Sequence, residues 1–367
     1  MQRTNKILGI ALLTSLLAFL IYSLIPRVAY KSGAYGVELP KSELLGEATT
    51  KALKTFVIDT ANNAEAVVII HNERILLEVG NTKKLMNAHS VRKSIMSLLM
   101  GIATEKGHLK LDETLGELGI DESKTPLTSQ EKTATIRDLL MARSGVYLPA
   151  EAEVVAAKQN RPVREQYRPG EFYFYNNFDF NILGVILEQK TGQSIGEFME
   201  DNLAKPLGLQ DFSTSNVVYN SPWPVPNKTQ SDYPVYWIFI SARDLAKIGA
   251  MVSQGGKWMG KQIISEGWIA ESTQPCSELD ESKAPYDAYA YSWFIDVDEQ
   301  TIWSTGFGGQ FLLIDPTLNI SIAQRNFTGN SLLSSGWFFM KKNRDGWRTD
   351  VVHLHAVLKE KLSQGDR

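Results

Sequence analysis

The sequence predicts an α/β fold of the α+β type, with a central antiparallel sheet drawn from both ends of the chain, flanked by helices and interrupted by a mostly helical lobe. Three observations carry this prediction. Short apolar runs at residues 66–70 and 75–79 flank the turn-like His71-Asn72-Glu73-Arg74, which reads as a strand hairpin. Comparable runs return late, at 289–297, 300–303, 310–314 and 320–325. Between them lie apolar residues at helical spacing, with caps and glycine stops. Strands at both ends with helices between imply one sheet around an insertion.

Taken in order, residues 7–25 form a charge-free apolar stretch preceded by Arg3 and Lys6. Its length suits a membrane span, and no small-x-small cleavage site follows it. The expectation is an uncleaved anchor in residues 1–30, with the rest of the chain extracytoplasmic, periplasmic or at the cell surface. Residues 31–60 read as a linker and first helix, and 61–367 as one domain with its helical lobe at about 105–240. A helix starts at Ser90 and ends near Gly107, carrying Ile95, Leu98, Leu99, Met100 and Ile102 on a wide apolar face. Further helices are predicted over 178–191, closed by Gly192, and over 195–203 before Pro206. Pro222, Pro224, Pro226 and Pro234 interleave with Trp223 and Trp237, the composition of a long loop near a cleft. Ser241 caps a helix over 242–253 with Asp244 near its positive end, and 351–362 makes a closing helix.

A chain of 367 residues that is 43% hydrophobic buries a large core, and a net charge of −3 gives no sign of nucleic-acid binding. The single Cys276 cannot form an intramolecular disulfide and reads as a small buried hydrophobe. The five histidines are scattered, and His353 and His355 do not share a helix face, so no metal site is expected. No phosphate loop or dinucleotide fingerprint is present, so no cofactor is implied.

Chemistry concentrates in three motifs. In Ser90-Val91-Arg92-Lys93 the serine and lysine share one helix face, so the amine can take the hydroxyl proton. A lysine on an apolar helix is costly without a task or a partner. Ser129-Gln130-Glu131-Lys132 fits the same pattern, but its polar surroundings read as the capped start of the helix holding Ile136, Leu139 and Leu140. Tyr175-Asn176-Asn177 follows Pro169-Gly170 and starts the 178–191 helix. A phenol near a lysine ammonium is drawn towards phenolate and relays protons, while the amide holds a lysine or a carbonyl. Ser304-Thr305-Gly306-Phe307-Gly308-Gly309-Gln310 ends a strand with glycines that let backbone approach a substrate. Standing alone, the second motif reads better as a helix cap with a buried aromatic and the third as a flexible hairpin turn.

In this order the three resemble the serine β-lactamase and penicillin-binding-protein family, particularly its class C-like branch of esterases, peptidases and 6-aminohexanoate-dimer hydrolases. The likeness covers about 66–325 and extends to Leu139-Leu140-Met141-Ala142-Arg143-Ser144-Gly145, to Ser241-Ala242-Arg243-Asp244-Leu245-Ala246 and to Asp315-Pro316. It implies a β-lactamase/transpeptidase-like fold and a serine hydrolase acting on an amide or ester through an acyl-enzyme. Ser90 would be the nucleophile, Lys93 its base and Tyr175 the proton shuttle, with Asn177 orienting Lys93 or substrate. The oxyanion would sit on the backbone N–H groups of Ser90 and Phe307, with Ser304, Thr305, Gly306 and Phe307 as the substrate-binding edge.

The chain departs from the family at Ser304, where relatives carry Lys-Thr-Gly or His-Thr-Gly, and a serine offers no cation. Arg143 and Arg325 are both candidates to replace that charge. The expected partner is a small-molecule amide or ester, ranked ahead of peptidoglycan-type peptides and then β-lactams. Trp223, Tyr233, Trp237 and Trp303 are candidates for an apolar acyl pocket. The rival reading is a catalytically idle penicillin-binding-like protein that holds cell-wall peptides or a partner.

Overall fold

A computed structural model describes residues 2–26, 28, 31–59, 64–153, 155–219, 231–279, 286–340 and 347–364 of the chain. The amino-terminal part holds α1 (Gln2–Leu24), α2 (Glu47–Asp59), the hairpin β1 (Ala66–His71) and β2 (Arg74–Gly80), the short β3 (Met86–Asn87) and α3 (Val91–Glu105). The lobe that follows contains α4 (Ile136–Leu140), α5 (Val155–Gln159), α6 (Asn177–Thr191), α7 (Ile195–Met199) and α8 (Lys205–Leu207). It closes with β4 (Val217–Val218) and β5 (Trp237–Ile240), which join β3 in a three-stranded sheet. Next come α9 (Ala242–Ser253), the β6 (Lys257–Trp258) and β7 (Lys261–Gln262) pair, and α10 (Glu266–Thr273). The last part holds β8 (Ser277–Glu278), β9 (Ala288–Tyr289), β10 (Phe294–Asp296), β11 (Thr301–Gly306), β12 (Gln310–Asp315), β13 (Ile320–Arg325), α11 (Leu332–Met340) and α12 (Trp347–Gln364).

The main sheet has eight strands in the order β2-β1-β13-β12-β11-β10-β9-β8. All its pairings are antiparallel. Strand β1 therefore sits beside β13, as the sequence predicts for a sheet closed by both ends. The β1–β2 hairpin turns on Asn72 and Glu73, both at positive φ (46° and 60°), the backbone of a tight two-residue turn. Alternation sorts the strands onto two layers. Val67, Ile69, Trp303, Leu313 and Ile322 face α2 and α12, while Val68, Ile70, Leu312, Ile314 and Ala323 face α3, α9 and the lobe.

Three expectations are revised. The predicted strand over 289–297 is two short strands, because Ser292 turns at φ 62°. The predicted helix 195–203 gives way after Met199 to a π-helical turn over Glu200–Ala204. Residues 31–46 are no loose linker: Gly33 and Tyr35 donate to the Asp211 and Leu209 carbonyls, and Ile75 donates to Pro40. Pro222, Pro224, Pro226 and Trp223 lie outside the described residues.

The membrane anchor is corrected. The apolar run does form helix α1, but its sequence opens Gln2-Arg3-Thr4-Asn5-Lys6, is interrupted by Thr14, Ser15 and Ser23, and packs against α11. No helix among the described residues is long and apolar enough to cross a membrane. The transmembrane segment, the membrane partner and the periplasmic or cell-surface placement derived from it are therefore withdrawn.

Candidate active site

The segment leading into Ser90 is held on both sides. Strand β3 pairs Met86 with Ile240 and Asn87 with Phe239, and the Ala88 N–H donates to Ile238 at 2.8 Å. His89 then adopts φ 48°, the left-handed region that a non-glycine residue occupies at a cost of roughly 1 kcal/mol. Its N–H donates to Asn87 Oδ1 at 2.8 Å, and its Nε2 lies 2.8 Å from Thr328 Oγ1. Burial, with help from Arg325, Lys93 and Arg92, pushes the His89 imidazole down to about 3, so it stays neutral. This kink leaves Ser90 at the head of α3 with its hydroxyl not used as a cap.

Lys93 Nζ lies 2.8 Å from Ser90 Oγ. The lysine is 3% exposed and sits over the rings of Tyr175 (4.6 Å) and Phe180 (4.8 Å). No carboxylate pairs with it among the described residues. Burial, then the neighbouring Arg92 charge, holds its pKa well below the ordinary lysine value, which favours the free amine. Arg92 is itself buried, donating to Asn181 Oδ1 at 3.0 Å and lying 4.4 Å over Tyr236. By contrast, Lys132 of the second Ser-x-x-Lys match is spent on an ion pair with Asp121 at 2.6 Å.

Tyr175 arrives from the lobe, just ahead of the cap residue Asn176 of α6, and its hydroxyl is directed towards Ser90. Burial pushes the phenol up to about 12, against the smaller lowering effects of Ser90 and Arg92. The expected drift of the tyrosine towards phenolate is thus reversed: burial favours the protonated phenol, and Lys93 is the group whose charged form is disfavoured. Asn177 donates to the Ala152 carbonyl at 2.5 Å, while its buried Oδ1 has no partner.

Strand β11 ends against the same spot. A Cβ on Gly306 would come within 2.6 Å of the Ala88 carbonyl oxygen, so only glycine lets the strand lie this close to the nucleophile's approach. Phe307, exposed, packs edge-on against His89 at 5.5 Å. Ser304 faces α3 and is committed to Ser94 Oγ at 2.7 Å, whereas the Thr305 side chain turns to the opposite face, towards Tyr286. Ser90, Lys93 and Tyr175 are therefore brought together, with Gly306 and Phe307 beside them; Ser304 and Thr305 direct their side chains elsewhere.

A cleft of about 1220 Å³ opens beside Tyr175, walled by Phe172, Phe174, Phe294, Cys276 and Arg143 among others. Cys276 donates to the Tyr289 carbonyl at 3.2 Å, and burial raises its thiol pKa. Of the aromatics expected to line an acyl pocket, Trp237 packs with Val28, Leu85, Val235 and Phe239, Trp303 lies on the α12 face, and the Tyr233 hydroxyl bonds Asp121. The observed wall comes from Phe172-Tyr173-Phe174-Tyr175, an aromatic run visible in the sequence directly before the second motif. Arg325 is 0% exposed and serves as a strut: it donates to Gln310 Oε1 at 2.8 Å and to the Met86 carbonyl at 2.7 Å.

Comparison with known proteins identifies the fold and the family. The curated protein flp of Staphylococcus aureus (strain MW2) is 23% identical over 297 residues, covering 70% of this chain and 58% of that protein. The chain thus spans well under two thirds of that relative's length. A solved structure assigned as a 6-aminohexanoate-dimer hydrolase from Bacillus anthracis superposes with a TM-score of 0.61 at 17% identity, covering 92% of this chain and 94% of that one. A family VIII carboxylesterase superposes with a TM-score of 0.56 at 15% identity, covering 80% and 94%. At such identities the structures speak for the fold. The family model described as Beta-lactamase matches residues 55–324, which takes in β1, the Ser90 helix, the lobe and all but the last residue of β13. With most of its length matched in this way, the chain belongs to the Beta-lactamase family, the superfamily of serine β-lactamases and penicillin-binding proteins.

Proposed function

We propose that this chain hydrolyses an amide or ester bond through an acyl-enzyme on Ser90. The observation that carries the reading is the 2.8 Å contact between Ser90 Oγ and the Nζ of a buried lysine that has no counter-ion among the described residues and a depressed pKa. Lys93, as free amine, takes the Ser90 proton while Oγ bonds to the carbonyl carbon. The oxyanion is received by the N–H groups of Ser90 and Phe307, an arrangement worth several kcal/mol of barrier. As the tetrahedral adduct collapses, the leaving atom takes the Tyr175 proton, and Tyr175 is resupplied from the Lys93 ammonium. Water then attacks the ester through the same relay run in reverse, and Ser90 recovers its proton. Asn177 Oδ1 is an unpaired acceptor available to a substrate N–H or to the transient Lys93 ammonium. Small linear amides and esters rank first as substrates. In favour stand the apolar aromatic cleft and the names of the hydrolase and carboxylesterase neighbours.

The test is intact mass of the full chain after a fluorophosphonate, a penicillin and a panel of simple esters, with Ser90→Ala and Ser129→Ala alongside. One adduct, lost only in Ser90→Ala, is expected, and the reactive reagent names the substrate class. A folded protein that takes no adduct from any reagent sinks the hydrolase reading and leaves the idle binding protein.

A further inference from the structure

We propose that Thr328 is a positioning residue of the oxyanion hole, holding the His89–Ser90 peptide and the Phe307–Gly308 turn against each other so that the Ser90 and Phe307 N–H groups meet one oxygen; this rests on the acyl-enzyme reading above. The Ser90 N–H belongs to the peptide that His89 begins, and the Phe307 N–H to the peptide that Gly306 begins. Two donors so far apart in sequence serve one oxyanion only if something fixes their separation to within about 0.5 Å. Thr328 lies in the loop after β13, past the last residue that the Beta-lactamase model matches, and is buried.

One side chain meets both partners. Thr328 Oγ1 lies 2.8 Å from His89 Nε2, and its methyl packs on the turn: a Cβ on Gly308 (φ 80°) would come within 2.4 Å of Thr328 Cγ2. His89 holds φ 48°, and a strained backbone persists only where its surroundings over-determine it. Here they do. The His89 N–H donates to Asn87 Oδ1, and the ring meets Trp237 at 5.9 Å and Phe307 at 5.5 Å, both edge-on. His89 also lies against the strand that leads to the second donor, since a Cβ on Gly306 would sit 3.2 Å from His89 Cβ. The loop that carries Thr328 grips the turn a second time: Gln310 Nε2 donates to the Asn326 carbonyl at 2.7 Å and to the Gly308 carbonyl at 3.3 Å. A hydrogen bond constrains angle as well as distance, so Thr328 orients the imidazole and, through it, the His89–Ser90 peptide.

The experiment compares phenyl butyrate with O-phenyl thionobutyrate, in which sulfur replaces the carbonyl oxygen, in single turnovers with enzyme in excess so that slow phenol release is still followed. Sulfur is larger than oxygen and a weaker hydrogen-bond acceptor, so closely spaced donors favour the oxoester. Comparing that rate ratio between wild type and variant cancels intrinsic reactivity and the folded fraction, and a merely structural role for Thr328 leaves it unmoved. Thr328→Val keeps the methyl and removes the hydroxyl; it should lower the oxoester-to-thionoester ratio by about tenfold or more, chiefly through slower oxoester cleavage. Thr328→Ser, which keeps the hydroxyl, should retain most of the ratio. His89→Asn suits the left-handed backbone but cannot reach Thr328, so it should match Thr328→Val, and the double variant should lose no more than either alone. An unchanged ratio in folded Thr328→Val overturns the inference and leaves the acyl-enzyme mechanism standing. Should Thr328→Val not fold, His89→Asn decides by the same criterion. If the wild-type chain neither cleaves phenyl butyrate nor is acylated by it at Ser90, the proposed function fails and this inference falls with it.

Discussion

Lys93 can act as the proposed base only as the free amine, and its surroundings push it that way: burial first, then the Arg92 charge. With Tyr175 pushed up to about 12, the rate should rise with pH through the depressed lysine pKa and reach a plateau that tyrosine does not end below about 12. The groups facing Lys93 are Ser90, Tyr175, Arg92 and the Phe180 ring. Of these, only Arg92 repels a proton on the amine. Arg92→Met should therefore move the acid limb of kcat/KM to higher pH, and an unmoved limb in a folded variant would mean that Arg92 does not tune the base. The same burial has a thermodynamic sign. The unfolded lysine binds a proton that the native one releases, so native stability is lost as pH falls from the ordinary lysine pKa through the depressed one. Lys93→Met should then lose about 10²–10⁴-fold in kcat/KM and yet melt at a higher temperature at neutral pH. A Lys93→Met variant that melts lower would show the lysine to be a net structural asset. The pair itself was legible because a three-residue spacing on a helix fixes the geometry. The direction of the tyrosine shift was not, since it depends on packing by Phe180, Tyr289 and Phe294, two of them more than a hundred residues away.

Helix α9 ties the sheet to the lobe. It packs on β1, β12 and β13, and its first turn reaches the loop after α8. The Asp244 carboxyl oxygens accept from the N–H groups of Gln210 (2.7 Å), Asp211 (2.8 Å) and Phe212 (3.0 Å). Arg243 grips Asp211 through two bonds of 2.6 Å, and Lys247 donates to the Gly208 carbonyl at 2.7 Å. Asp244→Ala would orphan three backbone donors in a buried setting, for a loss of roughly 3 kcal/mol or more. Urea unfolding of Asp244→Ala checks it, and a change below about 1 kcal/mol would mean that water replaces the carboxylate. In the sequence, Ser241 and Asp244 read as a cap and a dipole partner, and Ser241 Oγ does accept from the Asp244 N–H at 3.2 Å. The clamp on 210–212 was illegible, because nothing local to α9 says which loop lies above it. For the same reason the sequence puts Trp237 in a loop: Pro222, Pro224, Pro226 and Pro234 ahead of it announce turns, while strand β5 exists only by pairing with β3 and β4.

At the scale of the molecule, the closing of the sheet by β1 against β13, in register from Ala66↔Arg325 to His71↔Ile320, makes the two ends of the domain mutually dependent. The larger core reinforces this. It runs without a break from sheet residues such as Val68, Ile70, Leu312 and Ala323, through Ile95 and Leu98 of α3, to Ile182, Leu183, Phe198 and Leu209 of the lobe. A lobe that shares its apolar interior with the sheet cannot open without exposing the sheet, so the free energies of local and global opening converge. The expected result is one unfolding transition. Far-UV circular dichroism, dominated by the helices of both parts, should coincide with tryptophan fluorescence in a variant that keeps Trp293 and Trp303, which are buried on the sheet side, and replaces the other six tryptophans by Phe. Asp244→Ala should move both curves together to lower denaturant, because the clamp joins the two halves. Ellipticity lost ahead of the tryptophan signal would instead mean that the lobe melts on its own. In that event Tyr175, carried by the lobe, and Ser90, carried by α3 against the sheet, would form a site assembled across a hinge, and acylation would fade at the first transition, before the sheet unfolds.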